Sequence, residues 1–523
     1  MNTAAFAPGL GRRVVASLWA AAAMPYLALA LWVPVARALG VFGSIPIPAV
    51  VVLSGIAGPV LVASLPRLAA PLPERLDRWL DPEHRKLAAL WAVGGLLALI
   101  ALGRMAVFLG DPGQVGYSFA PSEPFLVRHS CLTAYMHGAI LSTDPTANVY
   151  DMAFVEGVGD SPPPLPPTAA HFAPFSLDAF GYPPPFLLLP RALLLLTTDF
   201  LSQRILFSAA SLALLLVACA SAARTLGGVA ERRMWLLTPL FMANPLVIAT
   251  LQLGNFHLAA VALSLLCWVA LERRRDGLTG ALLAAATLAK IFPGLLGVLL
   301  LMQRRWRAVG LTCLAAAAFC ALSVAVLGTK VWRDFLFYHL PNVQSGEALR
   351  FMAGSTREIA FNLAPFGIPF KLGALGLEGW GWAQAPLFGS VYTALLLALA
   401  ALAGRNKGGP RHRLIVWLAI VLLASLRSPY AAPFVLSAMI VLFLVLVAEV
   451  RSRRGLAAFV AVWAMLSLPT PISDPRVSIA VSLVRMFALY AFLLWAVLRR
   501  GTAAPEAPDQ ARSLAVASLA GEG

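Results

Sequence analysis

Apolar runs of about 16–25 residues recur along the chain, each bounded by short clusters of arginine and lysine, and ~20 apolar residues make an α-helix long enough to span hydrocarbon. That pattern predicts an all-α polytopic membrane protein with about 12–14 membrane segments. Spans are expected near 14–38, 45–66, 87–109, 234–251, 256–271, 308–328, 384–404, 455–470 and 477–498. The stretch 184–223 is too long for one span and predicts a short interfacial helix at 186–197 followed by one full crossing. Residues 278–302 and 414–449 predict hairpins broken at Lys290-Ile-Phe-Pro293 and Arg427-Ser-Pro-Tyr430. Each leg of the first hairpin has ~12 residues, ~18 Å of helix against ~30 Å of hydrocarbon. A broken backbone at that depth is tolerated where it is buried in protein or lines a wet cavity. The apolar segment from Val14 to Leu39 is too long for a signal-peptide core and predicts a retained anchor.

Charge sets the orientation. The basic clusters include Arg12–Arg13, Arg232/Arg233, Arg273–Arg275 and Arg304/Arg305/Arg307, and placing them in the cytoplasm leaves two long connections outside, about 110–183 and 329–383. The organisation expected is an N-terminal membrane hairpin with a cytoplasmic loop (1–86), a main membrane domain (87–498) and a disordered cytoplasmic tail (499–523). The net charge of +16 does not point to nucleic acid, because the basic residues sit in short clusters between apolar runs. With 60% hydrophobic and 12% charged residues, membrane lipid is the solvent the composition fits.

Polar residues of catalytic type gather on the outer side. The first outer connection carries Asp111, Glu123 and His129; the second carries His339, Arg350 and Arg357. Gln252 and Asn255 lie at the outer turn between two spans, and Lys290 and Arg427 at the two hairpin tips. Positive charge outside runs against the positive-inside bias, and an ionisable group at membrane depth usually faces a cavity. Helix capping would equally account for Gln252 and Asn255, and snorkelling for Lys290. Cys131 alone among the cysteines stands in a polar region, and the outer histidines lack a His-x-x-x-His pairing, so no metal and no cofactor is expected.

Four motifs in order carry a resemblance: Tyr182-Pro-Pro-Pro185 opening an apolar helix, Gln252-Leu-Gly-Asn255, Ala289-Lys-Ile-Phe-Pro293 and Ser428-Pro429. Over roughly residues 110–450 the sequence resembles glycosyltransferase family 87, the bacterial polyprenyl-phosphate-mannose-dependent, mannosyltransferase-like members of the GT-C superfamily. The resemblance implies a GT-C-like helical bundle with two large periplasmic loops in a bacterial inner membrane. It also implies transfer of a sugar, mannose or similar, from a polyprenyl-phosphate donor to a lipid or glycan acceptor on the periplasmic side. That chemistry needs a base and cations aimed at the phosphate. The base candidates are Glu123, His339, Asp111 and His129, and the substrate-binding candidates are Tyr182, Gln252, Asn255, Lys290, Arg350, Arg357 and Arg427. Family members place an aspartate early in the first outer loop, where this chain reads Arg128-His-Ser-Cys-Leu-Thr-Ala-Tyr135. The rival class is a transporter or flippase for a lipid-linked or small polar substrate. It would use the same wet cavity, but the two large outer loops and the lack of an internal repeat favour the enzyme.

Overall fold

A computed structural model describes residues 9–80, 85–151, 165–345, 348, 350–405, 408–447, 450, 452–468 and 474–499. The proposed tail beyond Arg499 lies outside them. Among the described residues the chain is helical, without strands.

Three long helices come first: α1 (Leu10–Ala38), α2 (Ile47–Ser64) and α3 (Arg85–Gly110). The α1–α2 pair is close because Gly58 lets the backbones touch: a Cβ there would stand 2.8 Å from the Ala20 carbonyl carbon. The hairpin is fastened to its neighbours through polar atoms with nowhere else to go in an apolar medium. Tyr26 donates to the Leu102 carbonyl at 2.9 Å, and Trp19 to that of Trp235 at 2.8 Å.

The first outer connection is not an open loop. It holds α4 (Pro124–Arg128) and α5 (Cys131–Leu141), and α5 is buried from Cys131 through Ala139. The chain then enters α6 (Leu188–Leu196) and α7 (Phe200–Leu226), matching the short helix and single long span expected there. Asp199 starts α7 by accepting from Ser202 N at 2.8 Å.

The span expected at 234–251 is bent. It consists of α8 (Gly228–Met242) and α9 (Pro245–Leu253), which meet at 57°. Pro245 has no N–H to continue the ladder, and the Asn244 side chain caps α9 by accepting from Leu246 N at 2.9 Å. Next come α10 (His257–Glu272) and the first broken hairpin, α11 (Asp276–Ala289) and α12 (Leu296–Met302), with its break at Lys290 as the sequence predicts. The long helix α13 (Trp306–Leu327) is largely unburied by protein, as a lipid-facing span would be.

The second outer connection contains α14 (Thr329–Asp334), a π-helical turn over Phe335–His339, then α15 (Leu340–Ser345), α16 (Phe351–Gly354), α17 (Thr356–Phe361) and α18 (Ile368–Ala374). The remaining elements are α19 (Ala385–Gly404), the second hairpin of α20 (Pro410–Ser425) and α21 (Ala438–Leu446), α22 (Arg453–Ser467) and α23 (Pro475–Leu498). Every residue of α21 is buried and it is apolar all round, which makes it a central helix. Buried Lys371 ties the second connection to the bundle, donating to the Ala360 carbonyl at 3.0 Å and to Ser482 Oγ of α23 at 2.6 Å.

Seven helices among the described residues are long and apolar enough to cross a membrane alone, and the bent α8–α9 pair makes eight. The further segments that the apolar runs suggest are present as shorter helices, because prolines and polar caps divide those runs. The two outer connections meet. Lys330 donates to the Ala147 carbonyl at 2.5 Å, and the His339 and Tyr150 rings stack with centroids 4.8 Å apart. The two connections therefore occupy one side of the bundle.

Candidate active site

The start of α5 is shaped by the chain that returns beside it. Ser176 N donates to the Arg128 carbonyl at 2.8 Å and forms a single parallel bridge with His129. Thr133, fully buried, fixes the register: its hydroxyl lies 2.8 Å from the Ser130 carbonyl and 3.1 Å from that of Ser176, and it accepts from Asp178 N at 3.1 Å. These bonds carry Asp178 to the N-terminal end of α5. His129 Nε2 then lies 3.8 Å from Asp178 Oδ2 and 3.7 Å from Cys131 Sγ.

The surroundings of His129 favour positive charge. Burial lowers its pKa, but the hydrogen bond and charge of Cys131 outweigh that, with Asp178 and Glu358 adding to them, and the value rises to about 9. Phe125 stacks on the imidazole at 4.7 Å. Asn255 Nδ2 donates to Cys131 Sγ at 3.2 Å. The tight turn before it needs Gly254, which is left-handed (φ +60) with Leu132 Cβ 3.1 Å from where its own Cβ would sit.

One turn along α5, Tyr135 continues the polar line. Its hydroxyl accepts from Phe256 N at 3.3 Å and lies 3.2 Å from the Tyr182 hydroxyl. Lys290 Nζ donates to that Tyr182 hydroxyl at 3.0 Å. Tyr150 donates to the Tyr182 carbonyl at 2.9 Å and stacks on His339. His339 rests beside Gly181, with its Cε1 3.5 Å from the position of a Cβ there. Burial lowers the His339 pKa below the ordinary histidine value, opposed by the Gly181 backbone, and its Nδ1 has no hydrogen-bond partner among the described residues.

Of the eleven residues singled out in the sequence, His129, Asn255, Tyr182, Lys290 and His339 are therefore gathered along one line. Glu123 and Arg357 form its rim and are paired with each other at 3.2 Å, the guanidinium lying 4.4 Å from the Phe125 ring centre. Gln252 holds backbone in place, since its Oε1 accepts from Phe119 N and its Nε2 donates to the Leu126 carbonyl, both at 2.6 Å. Asp111 accepts from Gly113 N at 2.9 Å within its own turn. Arg350 is exposed, and exposed Arg427 donates to Thr393 Oγ1 at 3.3 Å.

Sequence reasoning missed Asp178, Thr133 and Arg204. Arg204 is completely buried in α7 and donates to the carbonyls of Phe108 (2.9 Å), Leu109 (3.1 Å) and Gln252 (3.3 Å), held between the Phe108 and Phe175 rings. An arginine inside a 27-residue apolar helix is the signal that could have found it. Asp178 had a weaker one, its place just ahead of Gly181-Tyr-Pro-Pro-Pro185.

Comparison with known proteins bears on this arrangement. Neither the curated proteins nor the solved structures offer a match. The model of glycosyltransferase family 87 matches residues 180–429, a narrower stretch than the resemblance suggested, but one that contains all four motifs and both Tyr182 and Lys290. Residues 180–429 are thus similar to glycosyltransferase family 87, and that similarity supports a membrane glycosyltransferase.

Proposed function

We propose that the protein transfers a sugar, mannose or a close relative, from a polyprenyl-phosphate donor to a hydroxyl of a lipid or glycan acceptor at the periplasmic face of a bacterial inner membrane, within a GT-C-type bundle. The observation that carries this reading is the contact of Lys290 with Tyr182: a cation at a broken-hairpin tip, presented beside a phenol on the extended Pro-rich entry to α6. A lysine at membrane depth is costly unless it meets an anion, and the phosphate of a lipid-linked donor must stay at that depth because its tail is buried. Ammonium and phenol together supply charge-assisted donors to the leaving phosphate.

In the transfer, the acceptor oxygen forms a bond to the anomeric carbon as the bond from that carbon to the phosphate oxygen breaks. The phosphate leaves with the electron pair, and the acceptor's proton passes to a base. His339 is the base that fits best among the four candidates. Burial keeps its imidazole neutral near pH 7, its buried Nδ1 has no hydrogen-bond partner among the described residues, and it stands beside Gly181, next to the tyrosine that meets Lys290. Glu123 is tied to Arg357, and Asp111 to its own turn. The test is transfer from a labelled polyprenyl-phosphate sugar by the purified chain in proteoliposomes. Transport of intact donor across the bilayer without transfer would favour the flippase reading.

A further inference from the structure

The geometry points to a metal site at the N-terminal end of α5, in which His129 Nε2, Cys131 Sγ and an Asp178 carboxylate oxygen bind one divalent transition ion of the zinc class. The three ligand atoms lie within 4.8 Å of one another. For bond lengths of ~2.1 Å to nitrogen and ~2.3 Å to sulfur, a tetrahedral N···S edge is about 3.6 Å and an N···O edge about 3.3 Å. The observed His129–Cys131 and His129–Asp178 separations are 3.7 and 3.8 Å. The second is too long for a hydrogen bond but close to a shared-ligand edge. Asp178 is the ligand able to close the rest, since its side chain is 36% exposed and only its other oxygen is held, accepting from Ala179 N.

Two further observations agree. The ligand set mixes nitrogen, thiolate sulfur and carboxylate oxygen, which suits zinc better than magnesium or calcium. Asn255 donates to Cys131 Sγ, as outer-shell donors do for metal thiolates. Three protein ligands leave one coordination position, which water or an acceptor hydroxyl would fill. Sequence spacing hides the site because only His129 and Cys131 are neighbours; Thr133 brings in the third ligand from the returning chain.

Metal binding can be measured without any assay of transfer, so its failure and the failure of the transferase reading are distinguishable. The full chain, purified in detergent and freed of metal with a chelator, is given one equivalent of Zn²⁺, desalted and analysed by elemental mass spectrometry. The parent is expected to retain about one zinc per chain. Asp178→Asn and Cys131→Ser should each lose most of it, and Asp111→Asn should keep it. Cobalt loading should produce a thiolate-to-cobalt charge-transfer band in the parent that Cys131→Ser lacks. A parent that retains no zinc, or cobalt bound without the thiolate band, would overturn the assignment whatever the variants do.

Discussion

Lys290 and Tyr182 stand far apart in sequence, yet the lysine ammonium and the tyrosine hydroxyl meet at 3.0 Å, joining the tip of the first broken hairpin to the Pro-rich entry of α6. Each belongs to a different motif of the matched family stretch. If the pair receives the donor phosphate, Lys290→Ala removes a charge-assisted contact worth at least ~1.4 kcal/mol, a tenfold loss in kcat/KM or donor affinity. Lys290→Arg should keep part of the activity. Steady-state kinetics with a polyprenyl-phosphate sugar check this, and unchanged turnover in Lys290→Ala would return the lysine to a snorkelling role.

Arg204 gives a stability prediction. Three backbone carbonyls converge on one buried guanidinium, and in an apolar interior none has water as a substitute. Arg204→Met leaves them unsatisfied, at a cost of ~1–3 kcal/mol. Thermal unfolding in detergent should show a clearly lowered midpoint. Donor turnover should fall with it, because Arg204 holds the Gln252 carbonyl from which the Asn255 turn begins. A midpoint equal to that of the parent would mean that these carbonyls find other partners.

The acid limb of the pH profile reports on His339. Its pKa is lowered by burial, so the neutral, proton-accepting form persists through neutral pH and disappears only as the pH falls through a value below the ordinary histidine range. In that account kcat/KM is flat near pH 7 and declines on the acid side. His339→Asn should lower the rate by about a hundredfold and remove that decline. An acid limb that survives in His339→Asn would assign the proton to another group.

Glu123 serves as a contrast. Its carboxylate is 43% exposed and paired with Arg357 across the rim, so the pair contributes at most ~1 kcal/mol. Glu123→Gln should leave transfer within about fivefold of the parent. A loss of a hundredfold under the same assay would make Glu123 the base instead of His339.

Much of this was legible in the sequence, for identifiable reasons. Apolar run lengths set the long helices, and Pro293 and Pro429 marked both broken hairpins. Lys290 was conspicuous because an ionisable residue at membrane depth is costly, whereas Tyr182 and Asn255 stood out through the motifs of the family resemblance. Asn244-Pro245 should have warned of the α8–α9 bend, since a capping residue followed by proline starts a new helix. Asp178 was harder to find: its position depends on Thr133 and the Ser176–Arg128 bond, contacts between segments that no local period records. The pairing of Glu123 with Arg357 was invisible for the same reason, because charge type in a sequence does not say which opposite charge will be near.

Orientation is tested by labelling. Residues of both outer connections should share one side, and that side should be periplasmic if the basic clusters lie inside. In intact cells a membrane-impermeant thiol reagent should reach Thr143→Cys and should not reach Ser452→Cys, both exposed positions. The opposite pattern would invert the topology.

Sugar transfer from a lipid phosphate is directly measurable. Purified protein is reconstituted with a radiolabelled polyprenyl-phosphate mannose and a crude lipid acceptor fraction, and the label is followed by partition and chromatography. Label is expected to leave the polyprenyl phosphate and appear covalently on an acceptor, with free polyprenyl phosphate released in equal amount and at least tenfold less of both with Lys290→Ala. Label that stays on its polyprenyl carrier under these conditions, with related lipid-linked sugars giving the same result, would contradict it.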